Sequence, residues 1–270
     1  MHVQIDSLVI HPVKSLAGVA CELMDFDALG ARHDRRYMLV DASGKFVSQR
    51  TCPIMALASV ADVGESWCIK TPDNNKLLLP KAGDCSKPVP VNVWSDTFSA
   101  WEQPEELSIW FSEWLGLSVR LVYIGAAAQR PVDPDYAPAP CHVGFSDGFP
   151  LLLTHTASLK ALNLELPFTI GMERFRPNIV VSGGDAWAED HWRRLNTADG
   201  SQSLLSVKPC SRCAIPTIDP ATAERQKVVW QVLKKLRTGS DGQVYFGHNL
   251  LHLSDQRLQV GQTLSVNACD

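Results

Sequence analysis

The amino-acid sequence predicts a mainly β protein with peripheral helices, an α+β chain. Three observations carry that reading. Short apolar or alternating runs recur along the first hundred residues, turn residues separate them, and helical spacing of apolar side chains is confined to a few windows.

In chain order, strands are expected at Val3–Ile10, Tyr37–Val40, Lys45–Val47, Ala56–Val63, Trp67–Lys70 and Lys76–Leu79. Turn material lies between them at Ala42-Ser43-Gly44, Asp73-Asn74-Asn75 and Ala82-Gly83-Asp84. Short strands so closely spaced fit an antiparallel barrel or a sandwich. A helix follows at Pro104–Leu115, where Pro104 suits a first turn, Glu105 and Glu106 complement the dipole and Gly116 stops it. Its Leu107, Trp110, Phe111, Trp114 and Leu115 share a face, the pattern of core packing. This helix, within residues 101–117, is expected to bridge two units, 1–100 and 118–270. Strand Ser118–Tyr123 leads into a Pro- and Ala-rich loop, Gly125–Ala139, which carries Arg130 and lacks apolar periodicity. Long ordered loops of this kind are often functional. Beyond it come strand Leu151–Leu153, a short helix at Ala157–Leu162, strands Ile179–Ser182 and Leu204–Lys208, a helix over Gln226–Leu236 and a terminal strand pair.

With 45% hydrophobic and 20% charged residues, the chain has material for a real core, which excludes disorder, collagen-like repeats and a coiled coil. Its 25 Lys and Arg against 29 Asp and Glu give a net charge of -4, so no footprint for a nucleic-acid partner is expected. No apolar run approaches the roughly 18 to 20 residues of a membrane span. The start, MHVQIDSLVIHPVKS, lacks the pattern of a signal peptide, which leads to the expectation of a cytoplasmic protein without a membrane partner. Most of the eight cysteines are therefore expected as free thiols, and only Cys210 and Cys213 are close enough in sequence to share chemistry.

That pair sits in Lys208-Pro209-Cys210-Ser211-Arg212-Cys213. Two thiols so spaced can share a metal, form a redox disulfide or leave one thiolate as a single ligand, with Lys208 and Arg212 favouring the thiolate. They can also be two ordinary buried cysteines. A structural zinc site would want two further ligands, and there is no second C-x-x-C. A thioredoxin-like site would start a helix, whereas Pro216 and Pro220 follow too soon. Three basic groups occupy turn-like contexts: His11-Pro12-Val13-Lys14-Ser15 with Gly18, His33-Asp34-Arg35-Arg36, and Phe175-Arg176-Pro177-Asn178. Lys14 is a point charge for a phosphate and Ser15 a further donor, arginine offers a planar fork, and Asn178 offers both donor and acceptor to a heterocycle. Taken singly, each cation reads first as a solvated surface charge.

Together these segments resemble the MOSC family, named for the C-terminal domain of molybdenum cofactor sulfurase, and in particular the branch of the mitochondrial amidoxime-reducing component and its bacterial relatives. The matching runs are HPVKSLAGV with DRRYMLVD, SDGFPLLLTHTASL, FRPNIVVSGGDAWAEDHWRRL, CSRCAIPTIDPATAER, FGHNLL and VGQTLSV, in order over nearly the whole chain. The resemblance implies an N-terminal MOSC-associated β-barrel domain joined to a MOSC β-barrel domain, with a molybdenum cofactor (Mo-molybdopterin) cradled between them. It also implies that Cys213 is the protein ligand to molybdenum, a soft thiolate beside dithiolene sulfurs. Lys14, Ser15, Arg35, Ser146, Asp147, Gly148, Phe149, Arg176, Asn178, Ser211, Arg212 and Asn249 match cofactor-contacting positions. Three positions depart from the mitochondrial proteins: Gly184 stands for a cysteine, Asn249 for a tyrosine and Phe149 for a hydroxyl residue.

By the same resemblance, the expected activity is a molybdenum-dependent oxidoreductase that removes oxygen from a small N-hydroxylated substrate such as an amidoxime, hydroxylamine or hydroxylated base. Asp147 and the outer side of Arg212 are the candidates to assist proton delivery. The plant-type spacing C-x₄-C-x₂-C is missing from the 270 residues, so no iron–sulfur cluster is expected in this chain and electrons would come from a separate reductase or ferredoxin-like donor. The alternatives are a sulfur carrier holding a persulfide on a cysteine and a non-catalytic cofactor-binding module.

Overall fold

The computed structural model describes every residue except 126, 127, 129, 138–140, 269 and 270. Strand β1 (His2–Ile10) alternates exposed and buried side chains up to a bulge between Ile5 and Ser7. The extra residue turns Asp6 outward, so Val3, Ile5, Leu8 and Ile10 all reach the core. β2 (Val19–Cys21) pairs with the end of β1, and β3 (Tyr37–Val40) is buried throughout. A meander of β4 (Ser59–Asp62), β5 (Ser66–Lys70) and β6 (Lys76–Pro80) follows, then the hairpin β7 (Pro88–Val93) and β8 (Asp96–Glu102). Helix α1 (Glu105–Leu115) starts after Pro104 and ends on left-handed Gly116, and β9 (Arg120–Tyr123) returns beneath it. The remaining elements are β10 (Leu151–His155), α2 (Thr156–Leu164), β11 (Ile179–Ser182), β12 (Trp192–Thr197), β13 (Ser203–Ser211), α3 (Lys227–Arg237), β14 (Tyr245–His252) and β15 (Thr263–Ala268).

Strands β11, β10, β14, β13, β12, β15 and β1 form a closed seven-stranded barrel, shut by the pairing of β1 with β11. The first strand of the chain thus completes a barrel otherwise built from its second half. Strands β7, β8, β9 and β3 make a four-stranded half-barrel. The expected mainly β architecture with peripheral helices is therefore observed. Val3, Leu8, Leu153, Val181, Leu195, Leu204, Leu250 and Leu264 fill the closed barrel. Met38, Val40, Val91, Val122 and Phe145 fill the other. A third cluster packs α3 through Val229 and Leu233 against Phe175 and Phe246, whose rings stack at 3.8 Å.

The differences from expectation have local causes. The hairpin of β7 and β8 escapes prediction because Pro88 and Pro90 argue against a strand, yet β7 lies at a sheet edge, where a missing N–H is tolerated. Lys45–Val47 makes only isolated bridges, Phe46 to Val40 and Lys45 to Asn92. Within Ala56–Val63 only Ser59–Asp62 is strand, because Pro53 begins a 3-10 turn that runs to Leu57. Strand β12 is hidden in sequence by exposed Arg193 and Arg194 side by side. Of the expected loop 125–139, residues 126, 127, 129, 138 and 139 lie outside the described residues.

Candidate functional site

Three segments reach the mouth of the barrel in a conformation that side chains resist. Ser15, Arg35 and Arg176 have φ of 72°, 47° and 57°, all left-handed. Such backbone is uncommon for residues with a Cβ and concentrates at binding and catalytic sites. Each case has a visible anchor. The Arg35 N–H donates to the His11 carbonyl (2.7 Å), the Gln49 amide donates to the Ser15 carbonyl (2.8 Å), and Arg176 caps the turn Met172–Phe175. Gly18 is forced for a different reason, since a Cβ there would lie 2.5 Å from Val9 Cγ1 and 2.8 Å from His11 Cε1.

These anchors bring Lys14, Ser15, Arg35, Arg176 and Asn178 to one cleft with Ser146, Asp147, Gly148 and Phe149, and with Cys210, Arg212 and Asn249. Lys14 is buried and its Nζ donates to the Phe145 carbonyl (2.7 Å) and to Asp147 Oδ1 (2.6 Å). Arg35 donates to Asp34 (2.5 Å), to Asn178 Oδ1 (3.1 Å) and to the Arg176 carbonyl (2.9 Å). Arg212 donates to Cys210 Sγ (3.0 Å) and to the Phe175 carbonyl (2.7 Å). Within C-S-R-C, Cys210 and Arg212 line this cleft, whereas Ser211 turns to a neighbouring one beside Tyr136 and Tyr245. Cys213 is partly exposed just beyond β13, before the 3-10 turn Ile215–Thr217.

The electrostatics are those of a cationic cleft short of counter-charge. Burial and then the Arg35 guanidinium push Arg176 down to about 9. Burial, followed by Arg176 and Arg35, holds His11 well below the ordinary histidine value, so its ring is neutral at pH 7. Burial lowers Lys14 despite its Asp147 partner. Asp147 goes the other way: burial would raise it, but Lys14 and the Trp94 indole N–H hold its carboxyl well below the usual carboxylate range. Arg176 Nη2 and Arg212 Nε are buried with no hydrogen-bond partner among the described residues. Unpaired buried donors of this kind are costly and point to an anionic partner.

Two of the expected site residues have partners within the chain. Asn178 lines the cleft, but its amide is already committed to Arg35, to the Leu152 N–H (3.1 Å) and to the Val9 carbonyl (3.2 Å). It therefore orients Arg35 and ties β10 to β1. Asp147, expected to assist proton delivery, is ionised and paired with Lys14.

One residue of consequence was not singled out in sequence. Arg130 is 2% exposed and donates to the carbonyls of Gly144 (2.9 Å), Ser146 (2.5 Å) and Asp147 (2.9 Å), while its Nε reaches Asp96 (2.9 Å). It thereby fixes the Ser146–Phe149 loop to the hairpin of β7 and β8. The only available signal was a lone arginine in a long ordered loop.

Family models match most of the chain: MOSC N-terminal beta barrel domain over residues 2–118 and MOSC domain over residues 140–265. Mitochondrial amidoxime reducing component 2 of Macaca fascicularis is 32% identical over 229 residues, covering 80% of this chain and 66% of that protein. Mitochondrial amidoxime-reducing component 1 of Homo sapiens is 32% identical over 225 residues, with the same shares of 80% and 66%. The mouse component 1 (Mus musculus) is 30% identical over 241 residues, 85% of this chain and 70% of that protein. The chain thus spans 66% of the length of the first of these relatives. With a closed barrel, a half-barrel and a cationic cleft reached by segments from both, the chain belongs to the MOSC family, in the branch of the amidoxime-reducing components.

Proposed function

We propose that this protein is a molybdenum-cofactor-dependent oxidoreductase that reduces N-hydroxylated compounds. The observation that carries the reading is the under-neutralised cluster of buried Lys14 and half-buried Arg35, Arg176 and Arg212, with two buried guanidinium nitrogens lacking partners among the described residues, beside the Cys210 thiol. That donor set fits the group: cations and free N–H donors for a phosphate-bearing pterin, and a soft thiol for the metal. The family and its amidoxime-reducing relatives support the same assignment.

In this reading Lys14, Arg176 and Arg212 hold the anionic end of the cofactor, Arg35 is aimed by Asp34 and Asn178, and Asn249 supplies a polar side chain on the cleft wall. Cys213 is assigned as the metal ligand, and Cys210 is held by Arg212 in a supporting position. Bound there, the cofactor would supply two-electron reduction of the substrate's N–O bond. The overall change is R–NOH plus two electrons and two protons to R–NH plus water. The electrons come from a separate donor protein, a reductase or a ferredoxin-like carrier. Asp147, ionised and bound to Lys14, balances charge, and solvent at the open side of the cleft supplies the protons.

Among the described residues no helix is long and apolar enough to cross a membrane. The relatives are named as mitochondrial, and the cytoplasmic placement is part of this proposal.

Molybdenum content and pterin fluorescence after oxidation, on protein expressed with molybdate, test the reading. Near-stoichiometric molybdenum in the wild type that is lost in Cys213→Ser, together with reduction of benzamidoxime, is the expected result. Persulfide on Cys213 without molybdenum would replace it with sulfur transfer. Bound cofactor with no turnover under any donor would leave a binding module.

A further inference from the structure

We propose that Arg174 and Asp219 form a positioning clamp that fixes the Cys213 thiol relative to Arg176 across the cofactor cleft. This rests on the function proposed above, in which Cys213 is the metal ligand, and it assigns that ligand its supporting pair.

Cys213 lies between Arg212 and Ile215, both of which line the cleft. Its thiol is free and half-buried, so the backbone on either side sets where it stands. Before it, the Arg212 N–H donates to the Val244 carbonyl (2.7 Å). After it, the Thr217 hydroxyl donates to the Ala214 carbonyl (2.6 Å) and closes the 3-10 turn Ile215–Thr217. Arg174 then takes hold of that turn. It is 7% exposed, and its two Nη atoms donate to the Pro216 carbonyl (3.4 Å) and to Asp219 Oδ2 (3.1 Å). Asp219 is itself fixed, since its carboxylate accepts from the Gln226 amide (2.9 Å) and from the Ala221 N–H (2.8 Å).

The other side of the clamp is the turn Met172–Phe175, in which Arg174 sits. Its Phe175 carbonyl accepts from Arg212 Nη2 (2.7 Å), and the next residue is the left-handed Arg176 of the cleft. One short turn therefore grips the chain on both sides of Cys213 and presents Arg176 as well. A planar guanidinium can bond a carbonyl and a carboxylate at once, which the point charge of a lysine does less well. Stability alone does not call for this arrangement. Arg174 Nε is buried without a partner among the described residues, and a buried ion pair is a weak stabiliser compared with apolar packing. What the pair provides is a fixed distance between the thiol and the arginine that faces it.

The test compares wild type, Arg174→Met and Asp219→Asn in two measurements. The first is the rate of iodoacetamide alkylation of Cys213 in full-length protein expressed without molybdate, read by peptide mass spectrometry with buried Cys52 as internal reference. The second is the Mo(V) electron paramagnetic resonance signal of molybdenum-loaded protein. In R174M and D219N, Cys213 should react about tenfold faster relative to Cys52, the scale of one lost charged hydrogen bond acting on a local opening. Their Mo(V) signal should broaden into a mixture of species, or molybdenum content should fall. Equal Cys213 rates would overturn the clamp. So would a parallel rise at Cys52, which reports general loosening, or faster alkylation with both the Mo(V) signal and the molybdenum content unchanged. If the wild type binds no molybdenum, the proposed function fails and alkylation alone decides the clamp: a rise selective for Cys213 supports it, and an equal rate overturns it.

Discussion

Lys14 Nζ and Asp147 Oδ1 meet at 2.6 Å, joining the segment after the first strand to a loop 133 residues later, with the lysine side chain 8% exposed and the aspartate 60%. This pair is the internal counter-charge of the cationic cleft. An anionic ligand that engages Lys14 must compete with Asp147, so the carboxylate sets how strongly the site holds a phosphate.

Replacing Asp147 with Asn should therefore tighten inorganic phosphate, and Lys14→Gln should weaken it, each by about tenfold, since an adjacent charge shifts such equilibria by around one pKa unit or more. Isothermal titration calorimetry reads both. Because the folded-state carboxyl is depressed, its stabilising contribution is present above the ordinary value of 3.8 and is lost as pH falls below it. D147N should flatten the acid limb of a Tm-against-pH curve. An unaltered limb would count against the pairing.

Arg130 should be among the least replaceable surface-loop residues. Arg130→Met leaves three loop carbonyls and the half-exposed Asp96 without their donor, and a buried carbonyl so left costs about 1–3 kcal/mol. The expected result is a lowered denaturation midpoint together with reduced molybdenum occupancy. Normal occupancy and stability would show that the loop is held by other means.

His11 makes a separate prediction at mildly acidic pH. Its folded-state value is depressed while its unfolded value is ordinary, so the unfolded chain binds the extra proton. Stability should fall as pH drops below about 6.5 and level off once the folded-state value is passed. His33 and His252 shift in the same direction, chiefly through burial, and add to the trend. Thermal denaturation between pH 7.5 and about 5 should show a shallower slope in His11→Gln than in wild type. Equal slopes would remove His11 from the account.

The two cysteines should separate cleanly. Cys213→Ser should abolish molybdenum retention, whereas Cys210→Ser should keep most of it and change how tightly Arg212 is held, because Arg212 Nη1 contacts Cys210 Sγ at 3.0 Å. Metal analysis of both variants decides. Loss confined to Cys210→Ser would reverse the assignment, and Cys210 is the one of the two that lines the cleft.

Much of the architecture was legible in the sequence because it depends on short-range physics. Alternating apolar residues with turn residues between them marked β1, β3 and the meander, and the run from Pro104 to Gly116 marked α1 at both ends. The basic clusters around Lys14, Arg35 and Arg176 could be seen as chemistry-bearing, and their left-handed backbone agrees with that. Other features are matters of distance across the chain. The closure of the barrel by β1, the pairing of Lys14 with Asp147, the hydrogen bonds of the Asn178 side chain and the reach of Arg130 to Asp96 all join residues far apart in sequence. The edge placement that admits Pro88 and Pro90 to a strand, and the hairpin tip that carries Trp94, are likewise properties of the sheet. Most of the elements and all of the charge-bearing side chains can be read along the chain, because backbone propensity and hydrophobic period are local. Which charges are paired, which are buried without a partner and which face the cleft is set by folding, because burial and Coulomb energy depend on neighbours distant along the chain.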